Sequence, residues 1–200
     1  NSAQALASNI PIMTARPAFM EGKASLSGQE RGIITHFVLQ HLKLDQVASL
    51  EDIEEQIQKM IYKELIGEGE AQAVDGQGLL KFFQSPIGKR MLQSDYVHRE
   101  VPFNLVKKAN EVLPTLDDVA SCEEDILVQG VIDCYFEDHG DLILIDYKTD
   151  YYHNEAMKKE IVNKYRSQIS LYTEALEKIK GRQVKEAYLY LLHGNEEVRL

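Results

Sequence analysis

Apolar residues recur at three- and four-residue intervals from Ile33 to Leu42, where Ile33, Ile34, Phe37, Val38 and Leu42 form one stripe. That spacing predicts an amphipathic helix. Ser27-Gly28-Gln29-Glu30 just before it reads as a capping box that opens the helix. A second helix is predicted from about Leu50 to Leu65, carried by Ile53, Ile57, Met60, Ile61 and Leu65. Shorter helical pieces follow around Gly78–Phe83 and Pro86–Leu92, the second with proline at the first helical position. From Tyr96 the texture becomes extended. VHREVPFNLV is a strand candidate whose Pro102 marks an edge or a bend. Two more strands, Ile126–Phe136 and Asp141–Lys148, flank Glu137-Asp138-His139-Gly140, which is hairpin-turn chemistry. A long helix from about Glu155 to Lys180 ends before Gly181, and VKEAYLYLLH reads as the last strand. The order of helices, strands, one helix and a strand is that of an α/β domain with a helical front end. Residues 1–26, with Pro11 and Pro17, read as a linker or strap. Residues 27–200 read as one domain, its helical front end at about 27–93 and its α/β core at about 94–200.

Composition narrows the class. With 200 residues, 44% hydrophobic and 27% charged, the chain is ordinary globular material with enough length for one core. No apolar run approaches the roughly 18 to 20 residues of a membrane span, and no basic and apolar leader opens the chain, so a cytoplasmic protein without a membrane partner is expected. The first residue is Asn1 rather than Met, which fits a piece of a longer polypeptide. Cys122 and Cys134 are too few for a disulfide framework or a four-thiolate cluster. The net charge of −10 argues against binding nucleic acid by bulk electrostatics, so such a substrate would need a bound cation or a larger assembly. No phosphate-binding lysine loop is present, so this piece has no ATPase of its own. His41, His98, His139, His153 and His193 show no metal-ligand spacing and read as surface or local hydrogen-bonding residues.

Candidate chemistry comes from the hairpin. If its turn centres near His139–Gly140, residues facing each other have numbers summing to about 279, and Asp133 lies opposite Asp146. Side-chain alternation puts Lys148 on the same face. Two opposed carboxylates repel, and a divalent cation between them removes the conflict. The alternative is that both aspartates end their strands in water, as most do. Their setting within GVIDCYF and LILIDYK, with a lysine on the same face, weighs against that.

These residues also carry a resemblance. Gly130-Val131-Ile132-Asp133 and Asp146-Tyr147-Lys148 resemble the G-x-I-D and D-Y-K motifs of the RecB-like branch of the PD-(D/E)XK nucleases. Gly32-Ile33-Ile34-Thr35-His36 resembles that branch's upstream G-x-x-x-H motif, and Gln168-Ile169-Ser170-Leu171-Tyr172 its Q-x-x-x-Y motif. Arg99-Glu100-Val101-Pro102-Phe103 resembles the strand that precedes the hairpin, and Glu100 is expected to support the site from that strand without being assigned a ligand role. The matches run in family order from about Gly28 to the end. Within the branch the likeness is nearest to AddA-type nuclease domains, with RecB-type domains the near alternative; a missing cysteine quartet separates the chain from the AddB type.

The resemblance implies a restriction-endonuclease-like core, a central mixed sheet flanked by helices. It implies Mg2+ or Mn2+ held by His36, Asp133, Asp146 and the backbone carbonyl of Tyr147. It implies Lys148 to orient water or stabilise charge on the phosphate, with Gln168 beside it in the catalytic set. Tyr172, Lys164 and Arg166 would contact DNA. The implied function is a DNase acting on single-stranded DNA within an ATP-dependent helicase-nuclease of double-strand break resection and recombination repair. Its partners would be DNA, an N-terminal helicase region of the same polypeptide and a second, AddB-like subunit. The alternatives are a non-catalytic docking domain of the same fold and a stand-alone exonuclease. On the residues alone, His36 among Ile34, Phe37 and Val38 also reads as a core histidine, and Tyr172 as part of a core stripe with Tyr165, Ile169 and Leu176. Lys158, Lys159, Lys164 and Arg166 read either as a phosphate track or as the solvated face of a helix.

Overall fold

The capping box forms at Ser27: its hydroxyl accepts the Glu30 N–H at 3.2 Å, and the Glu30 carboxylate accepts the Ser27 N–H at 2.7 Å. The structure is a computed structural model that describes residues 26–112 and 124–200, so the expected strap, apart from Leu26, lies outside the described residues, as does Cys122. From Ser27 the chain runs through α1 (Gly28–His41), α2 (Leu50–Tyr62), α3 (Glu68–Ala71), α4 (Gly76–Gln84) and α5 (Pro86–Leu92). Then come β1 (Val97–Lys108), α6 (Ala109–Val112), β2 (Asp125–Asp138), β3 (Asp141–Lys148), α7 (Glu155–Lys180), β4 (Val184–Leu191) and β5 (Glu196–Arg199).

Two differences from the sequence pattern have local causes. Helix α2 stops at Tyr62 rather than near Leu65, because Glu64 takes a left-handed φ of 56°. The Leu65 N–H then turns back to Met60 O at 2.9 Å and the Glu64 N–H to Ile61 O at 2.8 Å, a Schellman closure with glutamate where glycine is usual. Strand β5 is an extra strand beyond the expected last one. It has only four residues, Glu196-Glu197-Val198-Arg199, too short and polar to announce itself.

The strands lie in the order β1-β2-β3-β4-β5, which puts Pro102 on an edge strand as expected. Pairing is antiparallel for β2 with β3, parallel for β3 with β4 and antiparallel for β4 with β5, a mixed sheet within an α/β fold. Two compact units divide the chain, with boundaries inside β1 and β2. One unit lies within Glu100–Ile132; it buries Phe103, Leu105, Ala109, Val128 and Ile132 and carries a Lys108–Asp125 ion pair at 2.7 Å. Its first residue, Glu100, has φ of 52°, a left-handed backbone that bends β1 there.

The other unit holds the remaining elements and the main core. From the helices, Val38, Ile53, Ile57, Phe82, Phe83, Ile87 and Met91 meet Cys134, Phe136, Ile143, Ile145, Tyr147 and Tyr190 from one sheet face. Phe82 stands edge-on to Tyr147 and Tyr190 at 5.1 and 4.8 Å, aromatic geometry that contributes about 0.5–1.5 kcal/mol per pair beyond burial. On β3, Leu142 to Ile145 are fully buried, because helices cover both faces of this central strand. By alternation Leu142, Leu144, Asp146 and Lys148 point away from the helical front end, to the side of α7. Arg99 donates to Leu39 O at 2.6 Å and Leu42 O at 2.7 Å, so a cation satisfies the last carbonyls of α1.

Gly88 lets α5 turn against the end of α4. A Cβ there would meet Phe82 O at 2.0 Å, backbone that cannot yield cheaply. Gly88→Ala is expected to destabilise the protein by about 3 kcal/mol, the upper end of ordinary overpacking costs. Urea unfolding checks this, and a change under about 1 kcal/mol would contradict it.

Candidate active site

A two-residue turn sets the register. His139 and Gly140 both have positive φ, 50° and 89°, as a type I′ hairpin requires. Cys134 then pairs with Ile145, Tyr135 with Leu144 and Asp138 with Asp141, the register expected from the sequence. The pairing ends at Cys134 and Ile145, and Asp133 and Asp146 are the next residues on the two strands. There the Asp133 carboxylate takes over from the ladder, and its Oδ2 accepts the Tyr147 N–H at 2.9 Å.

Asp146 is the electrostatic centre. It is fully buried, and among the described residues neither of its side-chain oxygens has a hydrogen-bond partner. Lys148 Nζ lies 2.7 Å from Oδ2, an ion contact off the line of a hydrogen bond. Burial, then the charge of Asp133, pushes the Asp146 carboxyl up to about 7; Lys148 and His36 pull the other way. For Lys148 burial works to lower the ammonium, but Asp146 and Asp133 overcome it and hold it above its ordinary range. The lysine is therefore kept as a cation and suits charge stabilisation better than proton abstraction.

His36 reaches the pair from α1. Its Nε2 lies 3.0 Å from Tyr147 O, and since a carbonyl can only accept, Nε2 carries the proton. That turns Nδ1 toward Asp133 Oδ2, 3.5 Å away. Gly32, one turn earlier, permits the approach: a Cβ there would sit 3.0 Å from Thr149 Oγ1, just past the end of β3. From α7, Gln168 Nε2 donates to the Tyr172 hydroxyl at 2.6 Å, the i to i+4 contact that the motif spacing allows. Burial, followed by the charges of Asp133 and Asp146, raises the Tyr172 phenol above its usual range, which ties that hydroxyl to the carboxylate pair.

Family likeness bears on this geometry. The model of the PD-(D/E)XK nuclease superfamily matches residues 15–199. The chain belongs to this superfamily. It is similar to the A-type subunits of bacterial ATP-dependent helicase/nucleases. That of Alkaliphilus oremlandii is 50% identical over the whole chain, that of Alkaliphilus metalliredigens 49% over 95% of it, and that of Clostridium novyi 40% over 95%. The chain spans only about 15–16% of the length of these relatives.

In this PD-(D/E)XK domain His36, Asp133, Asp146, Tyr147, Lys148, Gln168 and Tyr172 converge on one end of β3. The donor set of carboxylates, an imidazole and a carbonyl is hard and oxygen-rich, and Asp146 Oδ1, without a hydrogen-bond partner among the described residues, gives a divalent cation something to bind. The residues present therefore fit such an ion. Arg166 is exposed on α7, whereas Lys164 contacts Asp150 Oδ1 at 3.2 Å and Lys158 is paired with Glu196 and Glu155. The basic run is thus partly neutralised. Tyr165, grouped above with a core stripe, is only half-buried. Its ring lies 4.6 Å from Lys148 Nζ, and its hydroxyl donates to Asp150 at 2.9 Å. Its position three residues before Gln168, on the same helical face, was the available signal.

Proposed function

We propose that this domain is a metal-dependent DNase that hydrolyses phosphodiester bonds of single-stranded DNA. The observation that carries the reading is Asp146, a fully buried carboxylate set against Asp133, with Lys148 Nζ 2.7 Å from Oδ2 and Oδ1 without a hydrogen-bond partner among the described residues. A cation bound between the two carboxylates would offset the cost of burying them together.

In this reading Asp133, Asp146, His36 and the Tyr147 carbonyl hold Mg2+ or Mn2+. When bound, such an ion supplies Lewis acidity at the phosphate and a more acidic water. Lys148 stabilises the charge that develops on the phosphate as the bond to the leaving oxygen breaks. Gln168, held by Tyr172, orients groups around the lysine. Arg166, exposed on α7, faces the strand with Lys164 beside its Asp150 partner, whereas Tyr172 is buried and acts on the strand only through Gln168. Likeness to these helicase/nuclease relatives supports a wider setting: an AddA-type polypeptide with an N-terminal helicase region and an AddB-like partner, acting in the cytoplasm on broken DNA ends. Among the described residues no helix is long and apolar enough to cross a membrane.

Incubation with labelled single-stranded and linear duplex DNA tests the function. Cleavage that needs Mg2+ or Mn2+ and stops with chelator is expected; cleavage indifferent to chelator, or none with either metal, overturns the reading.

A further inference from the structure

Past Lys148 the chain leaves β3 as Thr149-Asp150-Tyr151-Tyr152-His153. The parallel neighbour β4 ends beside it: the Leu192 N–H donates to Lys148 O at 2.9 Å, and His193 is the next residue out. Several rings gather on this edge. Tyr151 and His193 lie 4.5 Å apart, Tyr152 and His193 5.7 Å, and Tyr151 and His153 6.3 Å, centre to centre.

The inner ring is anchored. Tyr152 donates to Glu196 Oε1 at 2.7 Å, and Lys158 closes on the same carboxylate. A Cβ on Gly194 would fall 1.7 Å from the Tyr152 hydroxyl, so glycine is needed for that ring to lie where it does. The outer ring is open to solvent, with Tyr151 64% exposed. A lone exposed tyrosine needs no explanation. This one tops a cluster of tilted and edge-on rings at the carboxyl end of a parallel strand pair, where open α/β sheets take their ligands.

Charge decides what such a cluster is for. At −10 the chain has little bulk attraction for phosphates, and Lys158 and Lys164 are already engaged by acids. Base–aromatic stacking does not depend on net charge and tolerates any base. Tyr151 is three positions from Lys148, a Cα reach of about 10 Å at most, which is up to about three nucleotides even at the ~3.4 Å rise of fully stacked bases.

We propose that Tyr151, backed by His193 and Tyr152, is a platform on which one base of single-stranded DNA stacks, within about three nucleotides of the scissile phosphate. The proposal rests on the nuclease reading above and adds a substrate contact outside the motif residues.

Fluorescence anisotropy with a labelled single-stranded oligonucleotide tests it, in protein carrying Lys148→Ala so that the substrate stays whole. Adding Tyr151→Ala is expected to raise Kd by about 5- to 150-fold, and Tyr151→Trp to leave it near its starting value. A single abasic position is then moved along the oligonucleotide. At one position it should weaken binding with Tyr151 present and have no effect in Tyr151→Ala. Unchanged Kd in Tyr151→Ala, or an abasic penalty that persists at every position without Tyr151, overturns the platform. The two readings fail separately. Tyr151-dependent binding in the Lys148→Ala background, with unsubstituted protein that never cuts DNA, keeps the platform and removes the nuclease, and cutting by the unsubstituted protein with Tyr151-independent binding does the reverse. Thermal melts of each variant establish that it is folded.

Discussion

Lys148→Ala is expected to lower kcat/KM on single-stranded DNA by about a hundredfold to a thousandfold, the usual cost of removing one preorganised donor from developing negative charge. The lysine is held against Asp146 at 2.7 Å and across the Tyr165 ring at 4.6 Å, so little reorganisation is left for the moment of reaction. Its removal also strips Asp146 of its nearest cation. A buried carboxylate in that position takes up a proton rather than stay charged, so the fold should survive best below pH 7, where Asp146 is already largely protonated. Asp133→Asn is the companion variant. Its amide oxygen can still accept the Tyr147 N–H, as Asp133 does at 2.9 Å, while one proposed ligand charge is lost. Activity should fall at least as far as in Lys148→Ala, with the melting temperature held or raised because the Asp133–Asp146 repulsion is gone. Initial rates with Mg2+ and thermal melts of the same samples check both statements. Activity within tenfold of the unsubstituted protein in either variant would remove the assigned roles.

How much of this was legible beforehand follows from the range of each interaction. The hairpin register needed only a turn with Gly140 and the two-residue period of strands, both local, and it placed Asp133 opposite Asp146. The capping box at Ser27 and the ends of α7 at Glu155 and Gly181 are equally local, and they formed where the pattern put them. Glu64 in a left-handed conformation hid the end of α2, because sequence rules look for glycine there. The roles of Tyr165 and Lys164 depend on Asp150, a loop residue 15 and 14 positions away that no periodicity links to the helix. The same applies to the ring cluster at Tyr151. His193 arrives from β4 and reads in isolation as one more surface histidine. Convergence of motif residues was therefore readable through family likeness, whereas their pairing with neighbours outside the motifs was not.

Metal binding should make stability depend on pH in opposite ways with and without the ion. Asp146 is raised from 3.8 to about 7, by burial first and by Asp133 second. Between about pH 4 and 7 the unfolded chain has lost that proton while the folded chain keeps it, so the folded state binds more protons. Stability from this group is complete below about pH 4 and falls as pH rises through 7. At pH 8 the metal-free protein thus holds an ionised carboxylate whose burial is offset chiefly by Lys148 and less by His36. A divalent cation needs that ionised form, so its affinity should climb across the same window with release of a proton. At a hundred times Kd, Mn2+ contributes about 2.7 kcal/mol, which for a domain of this size is a rise of about 5–10 °C in Tm at pH 8. At pH 6 the same Mn2+ concentration should give a clearly smaller rise. In Asp146→Asn both the metal-induced rise and the decline of metal-free stability between pH 5 and 8 should largely vanish. Thermal melts at pH 5, 6 and 8, with and without Mn2+, measure all of these together. An equal Mn2+ shift at pH 6 and 8, or an Asp146→Asn protein that responds like the unsubstituted one, would mean that Asp146 is not the carboxylate to which the cation binds.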